Sequence, residues 1–273
     1  MKRSWRRIAL ALGVAAGMLL VPGGLLAQEE HHKPKEQPPK EQQPPPQQKP
    51  APSWVDVVQH ATAGPLPQPN NPPQKLSKDR QQGLISQQKQ RTHQYDQNLQ
   101  KQQKLVAGRS QTLQRQNRSQ QYRFQQRYLD RLHQQQLALS HPRDFINDPF
   151  FFTAASYRYM RGGRYYEVNQ YAAQLLYDAV NYGYEVGFQA GQADRADGWR
   201  FDCENSYAYQ DANYGYEGFY IAADEYHYYF REGFRRGYDD GYYGRYRYGQ
   251  TVDGGVRILG DVLKVIIDLR VIH

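Results

Sequence analysis

The chain has 273 residues, 39% of them hydrophobic, with 35 Lys and Arg against 27 Asp and Glu for a formal charge of +8. The single Cys203 excludes a disulfide framework, and no second long apolar run follows the first 27 residues, which excludes a multipass membrane protein. The aromatic content is skewed to Tyr, 24 against 10 Phe and 3 Trp, which argues against a large oily core around a deep catalytic cleft.

Residues 1–27 place Lys2, Arg3, Arg6 and Arg7 ahead of an apolar run over 8–21. Pro22-Gly23-Gly24 follows, and Leu25-Leu26-Ala27 ends the stretch. This is the layout of a secretory signal peptide. It predicts an exported chain, periplasmic, envelope-associated or extracellular, with no integral membrane span once mature. Residues 28–75 are dominated by Pro, Gln and Lys and hold five Lys against five acids. Such a segment cannot bury enough apolar area to offset chain entropy, so it reads as a disordered, semi-rigid spacer. Trp54, Val57 and Val58 form a short apolar element within it, and His31-His32 is too sparse a pair for a metal site.

Residues 76–141 carry 20 Gln, 12 basic and 3 acidic residues, a net +9, with only Gly83 and Gly108 among strong helix formers. Leu99, Val106 and Leu113 lie seven apart, Tyr95 precedes Leu99 by four, and Phe124, Tyr128 and Leu132 continue at spacing four. The spacing predicts one long basic helix with a weak coiled-coil seam, since Gln102, Arg109, Gln116 and Gln120 sit where Leu or Ile would be needed. Its expected weak point is Gly108, and unbroken it would span roughly 100 Å. Residues 142–273 hold 14 basic and 19 acidic residues, so the basic excess belongs to the Gln-rich segment.

His141-Pro142 ends that helix, and Asp144–Phe152 concentrates Phe beside the folded part. Residues 150–250 contain 21 of the 24 Tyr. Asn-Tyr-Gly-Tyr-Glu occurs at 181–185 and 213–217, a 32-residue period that suits a helix–turn–helix repeat. Ala179, Gly183, Gly187 and Gly191 form one row at spacing four; Leu176, Val180, Tyr184 and Phe188 form its neighbour. Gly233, Gly237 and Gly241 repeat the rule beside Phe230, Phe234, Tyr238 and Tyr242. Spacing four keeps each row on one helix face. Three Gly cost a helix about 3 kcal/mol against Ala, so only close packing can offset them. These seven small residues are the expected helix-pairing positions of a compact helical domain over 142–250, and the fold class is mainly α.

The last segment, 251–273, puts Arg257, Asp261, Lys264 and Asp268 on one stripe and apolar residues around it, which predicts a C-terminal amphipathic helix. Tyr157, Tyr159, Arg161, Arg164, Tyr165 and Tyr166 alternate rings with cations and could stack on sugars or bases while gripping an anion. The same residues could equally roof the core. Asp194, Asp197, Asp202 and Glu204 lack EF-hand spacing, and Cys203 has no nearby His. No catalytic motif is present, so neither an enzyme nor a cofactor is expected.

The Gly-x-x-x tetrads over 183–191 and 230–244 resemble those of the flagellar export regulator family and of the eukaryotic iron–sulfur adaptor family, a likeness that implies helix pairing alone. In texture, residues 155–273 resemble secreted proteins of acidobacteria-like soil bacteria, which implies export and no particular activity. The expected role is a non-enzymatic envelope or extracellular scaffold that associates with itself or an envelope protein through helix pairing. The alternative is a binding module for an anionic or sugar polymer such as peptidoglycan, lipopolysaccharide or nucleic acid.

Overall fold

A computed structural model describes residues 65–69, 74–139 and 144–272. The expected signal peptide, His31-His32 and the expected apolar element around Trp54 lie outside them. The protein is mainly helical, with a long helical segment leading into a compact domain. Helix α1 is Lys78–Arg115 and α2 is Ser119–Leu139. Strands β1 (Tyr157–Arg161) and β2 (Arg164–Val168) precede α3 (Gln170–Ala196). A short α4 (Tyr207–Asp211) leads to α5 (Ala223–Tyr243). The end of the chain is β3 (Gly249–Val252), β4 (Gly255–Ile258), α6 (Gly260–Ile266) and β5 (Arg270–Val271).

The centre is the α3–α5 pair. A Cβ on Gly183, Gly187 or Gly191 would fall onto the backbone carbonyl of Phe230, Phe234 or Tyr238, respectively. Reciprocally, a Cβ on Gly233, Gly237 or Gly241 would fall onto the carbonyl of Val180, Tyr184 or Phe188. Both series rise together, so the helices run parallel and each Gly on α3 corresponds to the Gly 50 residues later on α5. Ala179 continues the α3 row and is fully buried. Backbones this close favour Cα–H···O contacts between them. The aromatic rows are pinned by a matching pair of bonds. Tyr184 donates to Asp240 at 2.9 Å, and Tyr238 donates to Asp194 at 2.5 Å. With the 50-residue offset applied, each Tyr reaches an Asp six positions further along the other helix. Asp240 also accepts from the backbone N–H of Arg247 and Tyr248, tying the end of α5 down.

The Gln-rich segment is not one rod. It breaks at residues 116–118, where Asn117 adopts a left-handed φ of 56°, and Gly108 lies inside α1. The turn is held from the C-terminal end of α3. Arg118 pairs with Asp194 at 2.5 Å, and Asp197 accepts from the N–H groups of Gln120 and Gln121 at 2.9 and 2.8 Å, capping α2. The two helices fold back antiparallel: Ser110 accepts from Gln125 at 2.9 Å, and Tyr95 from Gln135 at 3.2 Å. The expected coiled-coil seam packs on its own domain. Tyr95, Leu99, Val106, Leu113, Phe124, Tyr128 and Leu132 are all buried, with Tyr95 edge-on to Tyr216 at 5.0 Å. Buried Gln88 and Gln135 supply polar anchors. Gln88 bonds Gly218 and Tyr220, and Gln135 bonds Asn213, Gly215 and Tyr216.

Four further expectations need correction. The expected helical domain over 142–250 begins with a β-hairpin whose two-residue turn is Gly162-Gly163 at φ 56° and 78°. The second Asn-Tyr-Gly-Tyr-Glu copy is a loop, with Gly215 at φ 83°, so the 32-residue period is not a structural repeat. The described part of 251–273, through residue 272, forms a hairpin through Asp253-Gly254, a seven-residue helix and a strand pairing β1, rather than one amphipathic helix. The spacer's end is part of the domain: Ala154 N–H donates to the Gln74 carbonyl and Tyr157 to the Pro67 carbonyl, both at 2.8 Å.

Candidate binding groove

The β1–β2 hairpin separates the six Arg/Tyr candidates by strand alternation. Tyr157 is buried beneath the hairpin, and Tyr165 projects on the opposite face beside Met160, with the Arg158 guanidinium 5.4 Å from its ring. Tyr159, Arg161, Arg164 and Tyr166 line a surface groove of about 680 Å³ whose far wall is the start of α5. Tyr159 and Tyr166 stack at 5.5 Å, and Tyr159 donates to Glu225 at 2.9 Å. Burial and the Glu225 charge hold the Tyr159 phenol protonated, far above its ordinary range. Arg161 pairs with the same carboxylate and lies 4.5 Å over the Tyr228 ring. Burial opposes its charge, but Glu225 more than offsets that, so the guanidinium stays ionised.

The groove continues both ways. Past Arg161 and Asp224 it opens into a second hollow of about 500 Å³ walled by Tyr209, Tyr228, Arg231 and Arg235. Past Arg91 and Glu167 it meets a third of about 370 Å³ against Arg80 of α1. Arg231 donates to the carbonyls of Tyr209 and Gln210, which fixes the guanidinium without neutralising it. Arg80, Arg91, Arg164 and Arg231 have no carboxylate partner among the described residues. Tyr166 and Tyr228 remain 39% and 41% exposed, so each leaves ring surface for a ligand. The sequence reading missed Arg91, Tyr228, Arg231 and Arg235. The last three share one face of α5 at spacings of three and four, a legible signal hidden by the stronger Gly row on the other face.

Chemistry elsewhere is limited. Asp194 and Asp197 serve the α1–α2 turn, and Asp202 accepts from Asn205. Among the described residues no three His, Cys, Asp or Glu gather to hold a metal, and no helix is long and apolar enough to cross a membrane. Burial pushes the Cys203 thiol up to about 12, so it is held as the unreactive thiol. Comparison with family models, curated proteins and solved structures finds no match.

Proposed function

We propose that the chain is an exported, non-enzymatic binding module for an extended acidic saccharide, held in the Arg/Tyr groove. The observation that carries this reading is the alignment of Arg91, Arg161, Arg164 and Arg231 with the exposed rings of Tyr166 and Tyr228 along one run of three hollows. Tyrosine faces suit the apolar faces of sugar rings, and guanidinium groups grip carboxylate or sulfate bidentately. The open groove favours a polymer over a small molecule, and the signal-like first 27 residues support a location where such polymers occur. A scaffold assembled through the Gly rows is less favoured, because those rows already face each other inside one chain.

The test is a calorimetric titration of the mature chain with polygalacturonate, a neutral glucan and double-stranded DNA. Polygalacturonate should bind in a salt-sensitive manner, the glucan weakly or not at all. Arg91→Ala with Arg164→Ala should weaken binding about tenfold or more, with the melting temperature unchanged. Binding that ignores both substitutions, or that favours DNA, rejects the reading.

A further inference from the structure

The hollows of the groove differ in charge. In the first, Arg91, Arg161 and Arg164 stand against Glu167, Asp224 and Glu225. The second is lined by Arg161, Arg231 and Arg235 with one acid, Asp224, which is exposed and shared with the first. A further cation adjoins it. Arg109 donates to the side chain of Gln210, which lines this hollow, and to the Asn205 carbonyl at 3.4 Å. Arg109 has no carboxylate partner among the described residues.

Each guanidinium of the second hollow is held against a ring. Arg231 and Arg235 lie 5.7 and 5.3 Å from the centre of the Tyr209 ring, and Arg161 lies 4.5 Å over Tyr228. Such contacts orient a cation without cancelling its charge. Arg231 gives its Nε and one terminal nitrogen to the Tyr209 and Gln210 carbonyls, at 2.9 and 2.7 Å. Arg161 and Arg235 each give one terminal nitrogen to a carboxylate, Glu225 and Glu232, and neither carboxylate lines the hollow. A guanidinium has five N–H donors, so all three keep some for a ligand. They reach the hollow from two elements, β1 and α5. A uronate carboxylate has two oxygens in one plane and is satisfied by one fork. A sulfate or phosphate ester carries three terminal oxygens as a tripod and takes donors from several sides.

We propose that the second hollow seats a tetrahedral oxyanion ester of the saccharide, a sulfate or phosphate group, in preference to a uronate carboxylate, with Arg231 as the fixed donor and Arg161 and Arg235 beside it. Resting on the saccharide reading of the groove, the proposal gives the polymer's ester groups to this hollow and leaves the first, with its matched charges, to the sugar rings.

The experiment is a calorimetric titration of the mature chain, at matched ionic strength, with kappa-carrageenan (a sulfated galactan without carboxylates), a phosphomannan and polygalacturonate. Polygalacturonate carries a carboxylate on every residue, so bulk charge alone favours it. At least one ester polymer should nevertheless bind about tenfold tighter or more, and the tighter of the two identifies the ester. Arg231→Lys keeps the charge and loses the fork; it should weaken the ester polymer about tenfold and leave polygalacturonate within about twofold. Arg235→Gln, at an exposed position, should show the same selective loss if Arg231→Lys disturbs the fold. Polygalacturonate binding as tightly as both esters, or a loss shared equally by ester and carboxylate polymers, overturns the proposal and leaves the saccharide reading standing. Failure of all three polymers to bind rejects both. The polymer comparison uses the unsubstituted chain, so it decides even if a variant fails to fold.

Discussion

The α3–α5 pair and the α1–α2 hairpin are both helical, yet opposite chemistry holds them. In the pair, side chains are removed so that backbones touch, and every Gly of the rows abuts a carbonyl of its partner. In the hairpin, long polar side chains reach inward, and Gln88, Gln135 and Arg118 dock it through buried hydrogen bonds to Gly218, Asn213 and Asp194. The first interface tolerates no added volume, because a helix backbone cannot step aside. The second is tied at points, so it should respond to the loss of single bonds rather than to added methyl groups.

Four measurements would break or sharpen that contrast. The largest effect is expected for Gly237→Leu, whose Cβ meets Tyr184 backbone. It should lose about 3 kcal/mol or more in urea unfolding, despite the better helix propensity of Leu. Next is acid. Burial pushes the His227 imidazole down to about 4, where its neutral Nε2–H faces the Asn213 side-chain oxygen at 2.8 Å. Its contribution is therefore present above the unfolded value of about 6.5 and is lost as pH falls toward 4, by up to about 3 kcal/mol. Burial also raises Asp194, Asp211 and Glu185, which acts in the opposite sense, favouring the fold as pH falls. Comparing the pH slopes of wild type and His227→Gln isolates the imidazole; identical slopes would contradict its assignment. Asp197→Ala removes the cap on α2 and should cost about 1 kcal/mol. The smallest change has the other sign: Gly108→Ala, in a helix with nothing within 4 Å of the new Cβ, should gain up to about 1 kcal/mol. If Gly108→Ala and Gly237→Leu moved stability alike, the two helical regions would not differ as described.

The Gly and aromatic rows were legible because spacing four maps onto one helix face and leaves few alternatives. The seam through Tyr95, Leu99 and Phe124 was legible as buried, but not its partner, since a half-polar stripe suits a second copy or its own domain equally well. The turn at Asn117 is masked in the sequence by Gly108, the stronger helix breaker, although Asn tolerates the left-handed region and Gly108 does not adopt it here. Both hairpins carried their signal openly in Gly162-Gly163 and Asp253-Gly254, two-residue turns with both residues at positive φ. In the second, the helical pattern of apolar residues from Ile258 to Ile272 masks the turn, because β-branched residues fit either period. The second Asn-Tyr-Gly-Tyr-Glu copy was misread because a Gly that lets backbones touch and a Gly at φ 83° look the same in sequence. One end of the groove, with Arg80 and Arg91, depends on how α1 packs on the domain, which no local pattern encodes.

The central claim is that the two Gly rows pair α3 with α5 in parallel within one chain. Spin labels at Gln174 and Tyr228, in a Cys203→Ser background, place one probe in the first turns of each helix; labels at Gln174 and Tyr243 place them at opposite ends. Dipolar distance measurement should give a short separation for the first pair and one about 20 Å longer along the axis for the second, with both unchanged on dilution with unlabelled protein. A reversed order of distances, or a short distance that disappears on dilution, would contradict the account.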